Sequence, residues 1–333
     1  MTEVDRPASF RSVFAVGEFR GIWFAEVQSV LGDRLARVAL SLLVFQLTNS
    51  PVWPAVTYAL TYLPDLVSGP LLAGLADRYP RRTVMVTADI TRAVLVGVMA
   101  IPGMPLAAVI VLLVGVQLAN APFSAAQAAL LPTVLDGDRY VVGQSVRHVT
   151  SQTGQLVGFA LGGVVVAALG RHLALGLDAI TFVLSALLIR FTVHNRAAPD
   201  VADAAKAGAT LRRLRAGAHT IWRNQQLRAL VMLAWLAGFV TVAEGLAVPY
   251  AAEIGGGVIT AGILLAAHPA GTMLGAFIVG RWTAPDVRLR IVGPLAVLAI
   301  VPLLGYAFHP SAAVTVVLLF ASGACASYQV IAS

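Results

Sequence analysis

One cysteine, Cys325, stands in 333 residues. A single thiol excludes an intrachain disulfide and any metal site built on several cysteines. The six histidines are scattered and show no ligand spacing, so no metal is expected. Charge is scarce too: 12% of residues are Asp, Glu, Lys or Arg, against about a quarter in a soluble domain. Lysine occurs once, at Lys206, against 22 arginines. No GxxxxGK[ST] loop is present, which argues against an ATP-driven pump, and no nucleophile or cofactor constellation stands out, so neither an enzyme nor a cofactor is expected. Residues 1–18 carry Glu3, Asp5, Arg6, Arg11 and Glu18 and lack the apolar core of a cleavable leader.

What is abundant is apolar side chain, 58% of the total, gathered in runs too long for one soluble core. A membrane helix needs about 20 mostly apolar residues. That ruler predicts an all-α polytopic membrane protein with ten spans, at 20–48, 52–76, 83–101, 106–130, 142–169, 172–193, 227–250, 257–279, 289–307 and 311–333. Tight turns at Asn49-Ser50-Pro51, Pro102-Gly103-Met104-Pro105 and His309-Pro310 make neighbouring spans antiparallel. With the N-terminus in the cytoplasm, the inner segments hold Arg6, Arg11, Arg78, Arg81, Arg82, Arg139, Arg196, Lys206, Arg212, Arg213, Arg215, Arg223, Arg281, Arg288 and Arg290, while the outer turns hold Arg171 alone. The positive-inside rule therefore predicts a multi-pass protein of the cell (inner or plasma) membrane with a cytoplasmic N-terminus. The net charge of +7 is accounted for by these inner loops, where anionic inner-leaflet lipid is the expected partner, and nucleic acid is not needed to explain it.

The longest connection, 194–226, is polar and then basic. Leu211, Leu214, Ala218 and Ile221 share one helical face with arginines around it, the pattern of an interfacial helix. It divides the chain into a cytoplasmic N-terminal segment (1–19), a six-helix bundle (20–193), the linker (194–226) and a four-helix C-terminal part (227–333). The two parts repeat weakly. GPLLAGLADRYPRRTVMV begins at Gly69 and GAFIVGRWTAPDVRLRIV at Gly275, so that Gly69 matches Gly275, Gly74 matches Gly280 and Arg82 matches Arg288. Related bundles in tandem are a transporter signature.

GLADRYPRR, from Gly74 to Arg82, with the Asp77, Arg78, Arg81, Arg82 core, resembles the loop signature of the major facilitator superfamily. LGDRLARVALSLLVFQLTNSP, ADITRA and AALLPTVLDGDRYVVGQS are similar to segments of its bacterial efflux permeases, of the enterobactin-exporter-like and macrolide-efflux-like kind. The resemblance implies a two-bundle fold of twelve spans, two of which are missing after Ser333; a truncated product, a fragment and a natural variant all fit. It also implies alternating access and a monomer. The leading expectation is a secondary transporter, a proton-coupled exporter of a small amphiphilic molecule. An importer, another coupling ion and a truncated, non-transporting assembly protein remain open.

Ionisable groups within spans are costly and so mark functional positions. The first span carries Glu26, Asp33 and Arg37, seven and four residues apart on one face. Asp33 and Arg37 suit either a static ion pair or a titrating carboxylate. Asp65 in the second span and Glu244 in the seventh complete the candidate proton-coupling acids. A polar stripe on the fourth span, Gln117, Asn120, Ser124 and Gln127, either lines water or bonds neighbouring helices; with Thr241 it supplies the substrate-cavity candidates. The resemblance places the first, fourth and seventh spans at the cavity. Asp89 and Arg92, three apart, are read with Asp77, Arg78, Arg81 and Arg82 as a latch on the cytoplasmic face. Gly154, Gly158 and Gly162, with Gly163, make a small-residue stripe on the fifth span. That stripe reads as helix packing, and it resembles the superfamily's antiporter signature.

Overall fold

The computed structural model describes residues 9–61, 75–196, 222–224, 228, 243–282 and 285–327. Every described element is helical. In chain order they are α1 (Phe10–Phe14), α2 (Gly17–Thr48), α3 (Val52–Ala59), α4 (Leu75–Arg78), α5 (Arg81–Met99), α6 (Leu106–Val134), α7 (Asp138–Leu169), α8 (Arg171–Thr192), α9 (243–253), α10 (Gly257–Trp282), α11 (Pro285–Leu298), a 3-10 segment (Val301–Phe308) and α12 (Ala312–Ala326).

Boundaries follow local chemistry. α1 opens on a capping box in which Ser9 and Ser12 each accept from the other's backbone N–H, at 3.3 and 3.1 Å. The turns expected from sequence are where the chain reverses. Asn49 (φ 50°) lies between α2 and α3, Gly103 (φ 87°) between α5 and α6, and His309 (φ 47°) before α12. α7 and α8 are separated by Gly170 alone, whose φ of 82° suits a residue without Cβ.

The ninth expected span, 289–307, is not one helix. α11 stops at Leu298 and the chain tightens into the 3-10 segment. Pro302 has no N–H to bond the Leu298 carbonyl and its ring clashes there, so the α-ladder cannot continue. The Ile300 N–H already bonds Val297 (3.1 Å), and the Ala299 carbonyl is taken by the Ser322 hydroxyl at 2.6 Å.

Four described helices are long and apolar enough to cross a bilayer: Leu106–Val134, Asp138–Leu169, Arg171–Thr192 and Gly257–Val279. α2 runs 32 residues, about 48 Å at 1.5 Å per residue, but carries Glu18, Arg20, Glu26, Asp33, Arg34 and Arg37. Much of the second and seventh expected spans, and the interfacial helix expected within 194–226, lie outside the described residues.

Packing separates the chain into two compact units, Met1–Gly32 with Thr61–Gly154 and Gly176–Lys206, and Asp33–Leu60 with Gln155–Leu175 and Ala207–Ser333. The core of the first is built from Ile22, Ala25, Met85, Ala88, Phe123, Ala126, Leu130 and Ile189, drawn from α2, α5, α6 and α8. In the second, α10 and α12 meet backbone to backbone. A Cβ on Gly275 would stand 2.9 Å from the Ala324 carbonyl carbon, and one on Gly323 2.9 Å from that of His268.

Candidate functional site

In the first unit Glu26 is the centre of a polar cluster. The Arg147 Nε donates to its Oε2 at 2.6 Å and Nη2 reaches Oε1 at 3.4 Å. Gln127 Nε2 also donates to Oε2, at 3.3 Å, while its own Oε1 accepts from Arg147 Nη2 at 2.8 Å. Arg147 Nη1 continues to Gln144 at 3.2 Å. Both ends of the pair are shielded, Glu26 at 13% and Arg147 at 17% exposure. Charge-assisted bonds of this kind are short and about twice as strong as neutral ones.

The rest of the α6 stripe also bonds other segments. Gln117 Nε2 donates to the Thr61 carbonyl at 2.6 Å, and Asn120 Oδ1 accepts from Arg92 at 3.2 Å. Ser124 is exposed. Gln117, Asn120 and Gln127 thus each bond another segment. Thr241 and Asp65 lie outside the described residues.

Asp89 and Arg92 form a fully buried pair, at 0% and 3% exposure. Asp89 Oδ2 accepts the Ser185 hydroxyl at 2.6 Å, and the Arg92 guanidinium lies 4.4 Å from the ring centroids of both Phe123 and Phe182. No ion pair joins them to the loop arginines among the described residues. Those arginines bond helix carbonyls: Arg81 Nη1 donates to Ala129 at 2.8 Å, and Arg82 Nη1 to Val193 at 3.2 Å and Arg190 at 3.5 Å. Arg82 thus satisfies the orphan carbonyls at the end of α8, where a cation also complements the helix dipole. Asp77 and Arg78 lie in the short α4, with the Arg78 side chain exposed.

A further tie was not expected. Glu18, at the start of α2, accepts from Arg196 on both oxygens, at 2.7 and 3.0 Å, and pairs with His194. Burial pushes the Glu18 carboxyl up, but the Arg196 and His194 hydrogen bonds outweigh it and hold it below the usual carboxylate range.

In the second unit Asp33 is half-buried. The Arg37 guanidinium lies over the Tyr58 ring, 5.6 Å from its centroid. The Tyr58 hydroxyl donates to Glu244 Oε2 at 2.6 Å, and His268 Nδ1 stands 4.0 Å from Glu244 Oε1. Glu244 and His268 are 11% and 13% exposed.

The glycines on α7 lie in close contacts. A Cβ on Gly154 would meet the Val30 side chain at 2.7 Å, within the first unit. In the second unit, one on Gly162 would meet the Leu35 backbone at 3.2 Å and one on Gly163 the Gly262 backbone at 3.0 Å. Gly158 is buried. Among the described residues no cluster of His, Cys, Asp and Glu could hold a metal.

The profile described as "Major Facilitator Superfamily" matches residues 22–333. The chain belongs to the Major Facilitator Superfamily. Its members are transporters and not enzymes. The MFS-type transporter YfiS of Bacillus subtilis (strain 168) is 32% identical over 164 residues, which is 49% of this chain and 39% of that protein. Among solved structures, a bacterial homolog of the human lysosomal transporter Spinster, inward-facing and occupied, superposes with a TM-score of 0.66 at 16% identity, covering 98% of this chain and 74% of that one. A mutant of the nucleoside transporter NupG gives 0.67 at 13% identity, covering 93% and 81%. At these identities the solved structures share with this superfamily member its fold alone.

Sequence reasoning missed three participants. Arg147 and Tyr58 find their partners 121 and 186 residues away, and Glu18 finds Arg196 178 residues away. The available signal was a charged or hydroxyl side chain within or beside an apolar run, which names a residue in want of a partner without naming the partner.

Proposed function

We propose that this chain is a secondary active transporter of the cell membrane, a proton-coupled exporter of a small amphiphilic molecule working by alternating access. The observation that carries the reading is the shielding of the described acids at the two ends of the candidate list. Glu26 and Glu244 sit 13% and 11% exposed within protein, engaged by Arg147 and by Tyr58. An acid facing acyl chains would have no such partners. Intramembrane carboxylates held this way are the usual markers of proton and substrate pathways.

In this reading Asp33, Glu26, Asp65 and Glu244 are the proton-coupling acids. The α6 stripe and Thr241 border the substrate path, and Asp77, Arg78, Arg81, Arg82, Asp89 and Arg92 bias the cytoplasmic face between states. Ten spans are arranged as six (20–193) and four (227–333) about a linker (194–226), the N-terminus is cytoplasmic, inner loops meet anionic lipid, and the chain works as a monomer. The efflux direction is supported by the segments that resemble bacterial efflux permeases, and antiport by the α7 glycines. Membership of a transporter superfamily supports a small-molecule cargo.

The test is transport in inverted membrane vesicles with an acidic lumen, read by uptake of a fluorescent amphiphilic dye and by pH. Uptake that collapses with an uncoupler, and fails in Asp33→Asn or Glu26→Gln while the protein still inserts, is expected. Dye flux indifferent to the pH gradient in the wild type overturns the coupling.

A further inference from the structure

His268 is an unexplained group of the second unit. It sits in the middle of α10, beside Pro269, with its carbonyl facing Gly323 across the α10–α12 crossing and bonded by the Thr272 hydroxyl at 3.1 Å. Its Nδ1 faces Glu244. Its Nε2 is buried and has no hydrogen-bond partner among the described residues. A buried polar atom without a partner is rare enough to call for a reason. Glu244 is asymmetric in the same way. The Tyr58 hydroxyl occupies Oε2, which leaves Oε1 turned to the imidazole at 4.0 Å, too far for a direct hydrogen bond but near enough that a charge on one group is felt by the other.

The described surroundings hold further charged and titratable groups. Arg37 contributes its charge through the Tyr58 ring face. The Tyr306 ring lies tilted against Tyr250, centroids 5.0 Å apart, and the Tyr250 hydroxyl donates to the Pro310 carbonyl at 2.5 Å. Glu253, further along α9, is engaged with His309 at 2.9 Å in an exposed pair. α12 brings glycine and no charged group to the crossing.

We propose that Glu244 and His268 form one proton-binding unit that holds a single exchangeable proton between them, with Tyr58 as the positioning residue that fixes which carboxylate oxygen faces the imidazole. The unit has two forms, carboxylate with imidazolium and carboxylic acid with neutral imidazole, and passage between them moves one proton from nitrogen to oxygen, once the side chains close the 4.0 Å gap to hydrogen-bond distance, with no change in net charge. An imidazole can take a proton at one nitrogen and release one from the other, so the open Nε2 is the face at which a proton enters or leaves. The role in coupling rests on the transporter reading above; the shared proton does not.

The test is a pH titration of the full chain in lipid nanodiscs, followed by infrared absorption of the protonated carboxyl C=O stretch. Glu244→Gln removes one titrating component, and the difference from wild type isolates the Glu244 band. In His268→Gln that band is expected to titrate at a pH displaced by at least about one unit, a tenfold change in proton affinity. In Tyr58→Phe it should shift in frequency, because Oε2 has lost its donor. If Glu244→Gln does not fold, Glu244→Asp serves, since the moved carboxyl must absorb at a new frequency. A Glu244 band that titrates identically with and without His268, or no Glu244 component at all, overturns the proposal. Vesicle transport separates the two readings: a displaced band with no pH-driven dye flux refutes the transporter coupling alone, and pH-driven flux with an undisplaced band refutes the proton-sharing pair alone.

Discussion

Asp89→Ala is the sharpest perturbation the N-terminal part of the chain offers. Asp89 is 0% exposed and pairs with Arg92, 3% exposed. Its second oxygen takes the Ser185 hydroxyl at 2.6 Å. Removing the carboxylate leaves a guanidinium sealed between Phe123 and Phe182 with Asn120 as its remaining side-chain acceptor. Breaking a buried pair by deleting one partner costs about 3–5 kcal/mol, because a charge stays behind uncompensated. Each aromatic face returns about 0.5–2 kcal/mol to Arg92 whether or not Asp89 is present, so the rings do not offset the loss. For a packed unit of this size the cost corresponds to a fall of roughly 6–20 °C in melting temperature. Thermal unfolding in detergent, followed by far-ultraviolet circular dichroism, measures it. The double substitution Asp89→Leu with Arg92→Met removes both charges and should recover more than half of the loss, since an apolar replacement of a buried pair is often neutral. A loss below about 1 kcal/mol in Asp89→Ala, or a double variant no better than the single, refutes the reasoning. Slowed transport at an unchanged melting temperature would instead favour the conformational latch.

Other expectations follow from the same geometry. Arg82→Ala frees the Val193 and Arg190 carbonyls; a cost of about 0.5–1.5 kcal/mol should appear as faster amide exchange confined to the last turn of α8. Gly262→Val drives a side chain into the Gly163 backbone, 2.8 Å from a Cβ at that position, and should abolish folded yield, whereas Gly176→Ala meets nothing within 4 Å and should be silent in size-exclusion profiles. Glu18 has a carboxyl held below its ordinary value of 4.5, so its tie to Arg196 stabilises above that pH and is lost as the pH falls through the lower, folded value. Melting curves of wild type and Glu18→Gln should therefore differ at neutral pH and draw together as the pH falls below 4.5.

What periodicity carries was readable in the chain. Asp89 and Arg92 are one turn apart, and they do pair. Gly154, Gly158 and Gly162 repeat every four residues; Gly162 and its neighbour Gly163 lie against backbone, whereas Gly154 meets the Val30 side chain. Length and apolar content located α6, α7, α8 and α10. Periodicity is silent about which face meets which helix. Glu26 and Arg147 were both visible as charges in greasy surroundings, yet their meeting depends on the crossing of α2 and α7. Asp33 and Arg37 had the spacing of a pair, and spacing alone could not foretell that the Arg37 guanidinium lies over the Tyr58 ring of another helix. The break at Leu298 was written in Pro302 and was overridden by the apolar run around it.

Where α10 and α12 cross, Gly271, Gly275 and Gly323 bring main chain against main chain. Side chains between helices can change rotamer and let one slide past the other; peptide planes in mutual contact have no such give. These two segments therefore behave as a welded plate, and any rearrangement asked of this part of the protein must be absorbed elsewhere; the 3-10 stretch after Leu298 is one described place where the α-ladder is already interrupted.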